Sequence, residues 1–411
     1  MSLILRGATL IDGTGNDPRP ESTVIVEGNR ITAVRADAAL QHVEDAQVID
    51  LGGLTLLPGL IDAHAHFGLV EFGPPGNTPV AVLAALIFRN CELALDAGFT
   101  TVRDTGGIDG GVRQAIDRGL LRGPRIYPSG PLLVQTGGHG DFGPPFLDHH
   151  LSGTTVPGLV QVSIVCDGPD EVRRAARTAF RRGATQIKVV VSGGVISVTD
   201  RLEDTQFTVE ELRAAVAEAT ARETYVTAHA HNVRSIRNGL AAGLRCFEHG
   251  SFLDDETAAE MAAAGAALVP TLAVTYLFAQ EWQRWGVPES TAPRMSAVAQ
   301  AMQEAVKIAH RAGVILGSGS DLIGPEQNRR GLELPLKAGC IGAMEAIVSA
   351  TATNARIIRA EADLGTVAVG KLADLIAMDG DPLAEPELFD DPSRVVLVVK
   401  DGAVAKDARH D

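Results

Sequence analysis

One pattern recurs along the middle of this chain and restricts what it can build: a helical stretch, a closing glycine, then an apolar run of strand length. It appears at Ala97-Gly98 before residues 99–102, Arg182-Gly183 before 187–191, Ala242-Gly243 before 244–247, Ala264-Gly265 before 266–269 and Ala312-Gly313 before 314–316. Glycine just past a helix supplies the left-handed cap at little steric cost. The runs that follow are too continuously apolar for strands with one wet face, which implies a parallel sheet buried on both sides. Helical periodicity fills residues 80–95, 169–181, 209–222, 255–263 and 295–311. Such alternation fits a (β/α)8 barrel or a doubly wound sheet. No GxGxxG follows the first strand, which disfavours the dinucleotide-binding version.

The two ends read differently. Short strands are predicted at 3–10, 22–26, 30–34 and 47–51, and again at 373–378 and 394–400, with turns at Gly365, Gly370 and Asp379-Gly380-Asp381-Pro382. The expectation is a small β-sandwich domain built from residues 1–59 and 361–411, interrupted by a barrel over 60–360. Two segments are long for barrel loops. Residues 136–167 carry Gly137-Gly138, Pro144-Pro145 and His149-His150, and residues 276–293 hold Trp282 and Trp285. Each reads as a lid or as a surface or oligomer-contact loop.

Composition narrows the function. With 45% hydrophobic and 21% charged residues, the chain is an ordinary globular protein, and a formal net charge of -15 argues against a nucleic-acid partner. Cys91, Cys166, Cys246 and Cys340 are far apart and form no CxxC pair, so they read as buried small hydrophobes in a reducing compartment. The first residues lack the basic start and apolar run of a signal peptide, and no apolar stretch reaches the roughly 18 residues of a membrane span. A cytoplasmic protein with no membrane partner is expected.

Polar residues gather at predicted strand ends. His64 and His66 close the run 54–65; at i, i+2 on a strand, both point to one face and can chelate one metal. Lys188 lies inside the apolar run 187–191, where a lysine is costly unless paired or chemically altered. His229 follows 225–228, His249 follows 244–247 and Asp321 ends 314–320. Potential ligands at the carboxyl ends of successive strands are what barrel enzymes need. His42, His149-His150, His310 and His410 fall outside this set and read as surface residues.

These residues resemble the amidohydrolase superfamily. The resemblance is carried by Leu57-Pro58-Gly59-Leu60-Ile61-Asp62-Ala63-His64-Ala65-His66, Lys188, Ala228-His229-Ala230-His231, Glu248-His249-Gly250, Gly319-Ser320-Asp321 and the tail Gly370-Lys371-Leu372-Ala373-Asp374-Leu375-Ile376. Thr136-Gly137-Gly138-His139-Gly140 and Val269-Pro270-Thr271-Leu272 are similar to the branch of prolidase-like dipeptidases, carboxypeptidases of basic dipeptides and imidazolonepropionase-like proteins. The resemblance implies two divalent metal ions, expected to be zinc. His64, His66 and Asp321 would hold the first, His229 and His249 the second, with Lys188 bridging both as a carbamate. One departure is Ser320, where the family usually has threonine.

The implied chemistry is hydrolysis of a dipeptide or N-acyl amino acid by a metal-activated water, its pKa lowered toward ~7. Asp321 would carry the proton, and His139 or His231 would polarise the scissile carbonyl. Tyr276 is a further candidate substrate contact, and Arg329 or Arg330 could clamp a substrate carboxylate, against the alternative that both are solvated or paired with Glu326 and Glu333. A homo-oligomer acting on a small molecule is expected. Hydrolysis of a cyclic amide or carbamate is the alternative. A deaminase is disfavoured because Asn232 follows His231 with no glutamate from His229 to Arg237, and because Lys188 is present.

Overall fold

The repeated glycines cap as their sequence implies: Gly98, Gly183, Gly243, Gly265 and Gly313 all lie at φ between +63° and +103°. The computed structural model describes residues 2–36, 46–70, 78–142, 146, 155–196, 199–281, 283–284, 292–324 and 327–409. The barrel strands are, in order, Leu60–Ala65, Phe99–Asp104, a third in two pieces (Arg125–Pro128 and Leu132–Val134), Ile187–Val190, Val226–Ala230, Cys246–His249, Ala267–Val269 and Ile315–Leu316. Every pairing along this series is parallel. The ring closes where Ala63 N donates to Ser318 O (3.0 Å) and Asp321 N to His64 O (2.8 Å). A ring leaves no sheet edge, and all carboxyl ends meet at one rim.

Side-chain alternation then sorts the interior from the shell. Ile187, Val189 and Val191 on the fourth strand, and Val226, Ala228 and Ala230 on the fifth, join a core shared with helices Pro169–Arg181 and Val209–Thr220. Lys188, Thr227 and His229 therefore face the other way, into the barrel. Helix contacts to the sheet run through small residues such as Ala175, Ala176, Ala179 and Ala215, which lets helices pack closely in a chain with only 4% aromatics.

The apolar run 54–65 does not make one strand. Thr55–Pro58 belongs to a sheet of the chain ends, and Leu60–Ala65 opens the barrel. That outer sheet has the order Ala403–Asp407, Val395–Lys400, Leu375–Met378, Thr55–Pro58, Ser2–Leu10, Arg19–Glu27, Arg30–Ala36, with Ala46–Asp50 also paired to Ser2–Leu10. Hydrogen bonding is continuous through all eight strands, which come from both flanks of the barrel. Ser2–Leu10 makes this possible by switching partners along its length: residues 2–6 pair with 46–50, residues 9–10 with 55–56.

The two long segments also depart from plain loops. Thr155–Val156 and Val160–Gln161 form a small antiparallel sheet with Gly107–Ile108, and Ser163–Val165 pairs with Leu132–Val134. Helix Leu272–Glu281 takes in the start of the second segment, and helix Ala292–Ala312 takes in its end. Pro144-Pro145, His149-His150, Trp282 and Trp285 lie outside the described residues, as do His42 and His410, whereas His310 is exposed on helix Ala292–Ala312. Among the described residues no helix is long and apolar enough to cross a membrane.

Gly59 joins the two sheets, and a Cβ there would lie 2.2 Å from Thr100 Oγ1 and 2.6 Å from Thr100 Cγ2. Overpacking of this kind costs ~1–3 kcal/mol. Gly59→Ala should therefore lower the midpoint of urea unfolding, and adding Thr100→Ala should recover part of the loss. An unchanged midpoint in the single variant would show that the junction is looser than described.

Candidate metal centre

Asp62 organises the first half of the site. Its Oδ1 accepts from the backbone N of His64 (3.0 Å) and of Ser320 (3.1 Å), and its Oδ2 from Ser320 Oγ (2.6 Å) and Arg330 Nη1 (2.8 Å). The end of the first strand is thus tied to the loop leaving the eighth. Asp321 Oδ1 then lies 3.4 Å from His64 Nε2 and 3.2 Å from His66 Nε2, and those two nitrogens are 3.2 Å apart. His64, His66 and Asp321 form one group able to hold a metal ion; His229, His231 and His249 form another. His64, His66 and Asp321 fall in one group and His229 and His249 in the other, where His231, read as a substrate contact, sits with them.

Two of these residues need unusual backbone. His249 has φ +68° and Asp321 φ +54°, the left-handed region. Strict alternation would turn His249 away from the interior that Glu248 already faces, and the left-handed turn lets both neighbours point inward. Such backbone costs on the order of 1–3 kcal/mol and clusters at functional sites. Here the Asp321 N to His64 O hydrogen bond helps hold it.

Each imidazole has one nitrogen occupied and the other available as a ligand. His64 Nδ1 lies 2.7 Å from Glu248 Oε2, His66 Nδ1 2.9 Å from Gly106 O, His231 Nδ1 2.7 Å from Ser251 Oγ, His249 Nδ1 2.7 Å from Thr271 Oγ1 and His229 Nε2 3.2 Å from Gly193 O. Outer partners of this kind fix ring orientation and tautomer at metal sites. The rings touch in sequence: centroids are 5.1 Å apart for His64–His249, 4.6 Å for His229–His249 and for His229–His231, and 4.5 Å for the stacked pair His139–His229. His139 is held by its backbone N donating to Gln206 Oε1 (3.0 Å), and its ring lies against Gly194, where a Cβ would be 2.2 Å away.

The electrostatics favour ligand forms. Burial, reinforced by neighbouring imidazoles, holds His139, His229 and His249 below the usual histidine range and pushes His231 down to about 3. Each shift favours the neutral ring. Burial works against charge on Asp321, yet His64 and His66 hold its carboxyl well below the usual carboxylate range. Lys188 Nζ is buried with no hydrogen-bond partner, and burial pushes it down to about 8 against the pull of Glu248 and Asp321.

Several functional residues were not singled out by sequence reasoning. Glu248 accepts from Arg103 Nη2 (2.7 Å) and from the Thr227 hydroxyl, and all three are fully buried. Arg103 in Phe99–Asp104 and Glu248 in Cys246–His249 are charges inside apolar strands, the same signal that marked Lys188. The arginine clamp is corrected. Arg330 is fully buried, bonded to Asp62, to Ser320 Oγ and to Gln327 Oε1 (2.8 Å), with its guanidinium over the Phe67 ring. Arg329 pairs with Asp390 at 2.5 Å. The loop turns Arg330 into a fully buried ion pair with Asp62, whose carboxylate needs a counter-charge there, and Arg329 into a half-buried one with Asp390. Tyr276 is exposed on the rim helix Leu272–Glu281.

Residues 55–405 match the model of the Amidohydrolase family. Ochratoxinase from Aspergillus niger is 33% identical over 417 residues, covering 98% of this chain and 86% of that protein. Among solved structures, a prolidase complexed with N-methylphosphonate-L-proline has a TM-score of 0.91 at 36% identity, covering 99% of this chain and 100% of that one. A Xaa-Pro dipeptidase with methionine bound in the active site gives 0.87 at 31%, with 99% and 100% covered.

Glu248 links Arg103 to His64, so removing its charge should be felt at the metal group. Glu248→Gln is expected to weaken metal binding 10- to 100-fold, measured by competition with a chelator. Affinity equal to the parent's would show that His64 is oriented without it.

Proposed function

The chain belongs to the amidohydrolase family, and on that basis we propose a dinuclear, metal-dependent, prolidase-like hydrolase of dipeptides or N-acyl amino acids. It is a hydrolase of amide or peptide C–N bonds. The observation that carries the proposal is the pair of adjoining ligand groups with the partnerless Lys188 Nζ in the same interior. A buried amine with a lowered pKa is suited to carboxylation, which would turn a costly cation into an anionic bridge between the two groups. The nitrogen-rich donor set favours zinc. In this reading His64, His66 and Asp321 would hold one ion, His229 and His249 the other, and a carboxylated Lys188 would contribute to both.

When bound, the metal ions would lower the pKa of water toward ~7 and polarise the scissile carbonyl. The chain's own groups do the rest. Asp321 Oδ2 is free of the close contacts that Oδ1 makes with His64 and His66, and it can take a proton from water and return it to the leaving amine. In the tautomer in which Ser251 Oγ donates to His231 Nδ1 (2.7 Å), Nε2 would carry the proton and could donate to a carbonyl oxygen. His139, stacked on His229, offers a second donor from the loop side. The likeness to the prolidase and the Xaa-Pro dipeptidase over nearly the full chain supports a substrate of dipeptide size.

Kinetic screening of zinc-loaded protein on Xaa-Pro dipeptides and N-acyl amino acids tests the substrate class. Activity confined to lactams or carbamates would replace it. Elemental analysis should find about two divalent ions per chain. Reloading of metal-free protein should need bicarbonate and proceed further at pH 8 than at pH 6.5, because only the neutral Lys188 amine reacts and its pKa is about 8. A content near one that Lys188→Ala leaves unchanged would remove the bridge. Asp321→Asn should lower kcat by about 10² or more while the fold survives; near-parental turnover would mean that another group moves the proton.

A further inference from the structure

With Arg329 and Arg330 committed elsewhere, a substrate carboxylate needs another partner. The third residue of helix Ala292–Ala312, Arg294, is half-buried, and its Nη2 donates to Gly194 O at 2.8 Å. Among the described residues it makes no ion pair. The chain has 51 acidic residues against 36 Lys and Arg, so an arginine left without a carboxylate does not reflect a shortage of partners.

Its position is informative. Gly194 is the residue against which the His139 ring lies, and the preceding Gly193 O faces His229. A single stretch of backbone thus separates the guanidinium from two rings of the histidine cluster, and its charge reaches His231. Among the described residues the fully buried arginines and Lys337 are paired, Arg103 with Glu248, Arg330 with Asp62 and Lys337 with Glu333, and Lys188 faces the same barrel interior as His229. Among the described residues the one hydrogen bond to a carbonyl engages only part of a planar donor fork, and that fork matches a carboxylate.

We propose that Arg294 is the substrate-carboxylate contact of this site, which selects amides whose leaving amino acid carries a free α-carboxylate. The assignment rests on the reading of the centre as a hydrolase of dipeptides or N-acyl amino acids. It places the amine-side residue of the substrate against the Gly193-Gly194 wall, with the scissile carbonyl toward the metal groups. It also gives an anionic substrate a cationic partner in a chain of net charge -15: the half-buried Arg294 guanidinium supplies a local field of the right sign.

The test compares zinc-loaded parent, Arg294→Ala, Arg294→Lys and Arg294→Gln on a Xaa-Pro dipeptide and its C-terminal amide. The glutamine variant can keep a donor for Gly194 O while removing the charge, and thermal melting checks each fold. The parent should prefer the acid. In Arg294→Ala and Arg294→Gln the ratio of kcat/KM for acid over amide should fall roughly 10- to 100-fold, mostly through KM, with Arg294→Lys between. Calorimetric binding of L-proline and L-prolinamide supplies a readout without turnover, and the same loss of discrimination is expected there. A folded Arg294→Gln variant with undiminished acid preference would overturn the proposal, as would a parent that neither cleaves nor binds the acid better. If no dipeptide is cleaved but L-proline binds through Arg294, the carboxylate contact stands and the dipeptidase reading falls.

Discussion

The site depends on one buried carboxylate, that of Asp62, which receives hydrogen bonds from the backbone of His64 and Ser320, the Ser320 hydroxyl and Arg330. These are the two ends of the barrel's closing seam. Hydrogen bonds from the first strand to the segment after the eighth complete the ring, and the same contacts set Asp321 beside His64 and His66. Ring closure and assembly of the first ligand group are therefore one event. Arg330 compensates the Asp62 charge in the interior, where an unpaired partner would cost about 3–5 kcal/mol.

The barrel interior is a charged network rather than an apolar plug. Arg103, Glu248 and Lys188 are fully buried, and only the first two satisfy one another. Glu248 spans from Arg103 to His64, so a structural ion pair doubles as the orienting partner of a candidate ligand. The apolar stabilisation lies outside this network, in the layer of valine, alanine and leucine between strands and helices. That division lets the interior hold groups chosen for chemistry while the shell holds the fold.

Much of this was legible in the sequence because it follows from local rules. Glycine caps, strand alternation and the histidines at strand ends located the barrel, and helices 169–181 and 255–263 were placed to the residue. What escaped was non-local. The run 54–65 breaks at Gly59, where Thr100 leaves no room for a side chain, a contact that no window around Gly59 reveals. Arg329 and Arg330 follow the last ligand directly in a loop, but their partners Asp62 and Asp390 lie far away along the chain. Arg294 gave no signal because it sits in an unremarkable helix, and only the approach of Gly194 gives it meaning. The continuity of the outer sheet likewise depends on Ser2–Leu10 changing partners midway.

That outer sheet has a consequence for synthesis. Thr55–Pro58 pairs on one side with Ser2–Leu10, made earlier, and on the other with Leu375–Met378, made more than three hundred residues later. During translation at about 5–20 residues per second, this apolar strand keeps a bare edge until Leu375–Met378 emerges. Open edges recruit other chains, so the interval is the chain's period of greatest exposure to aggregation. Arrival of Leu375–Met378 ends it and covers the edge with a strand that is itself flanked by Val395–Lys400 and Ala403–Asp407.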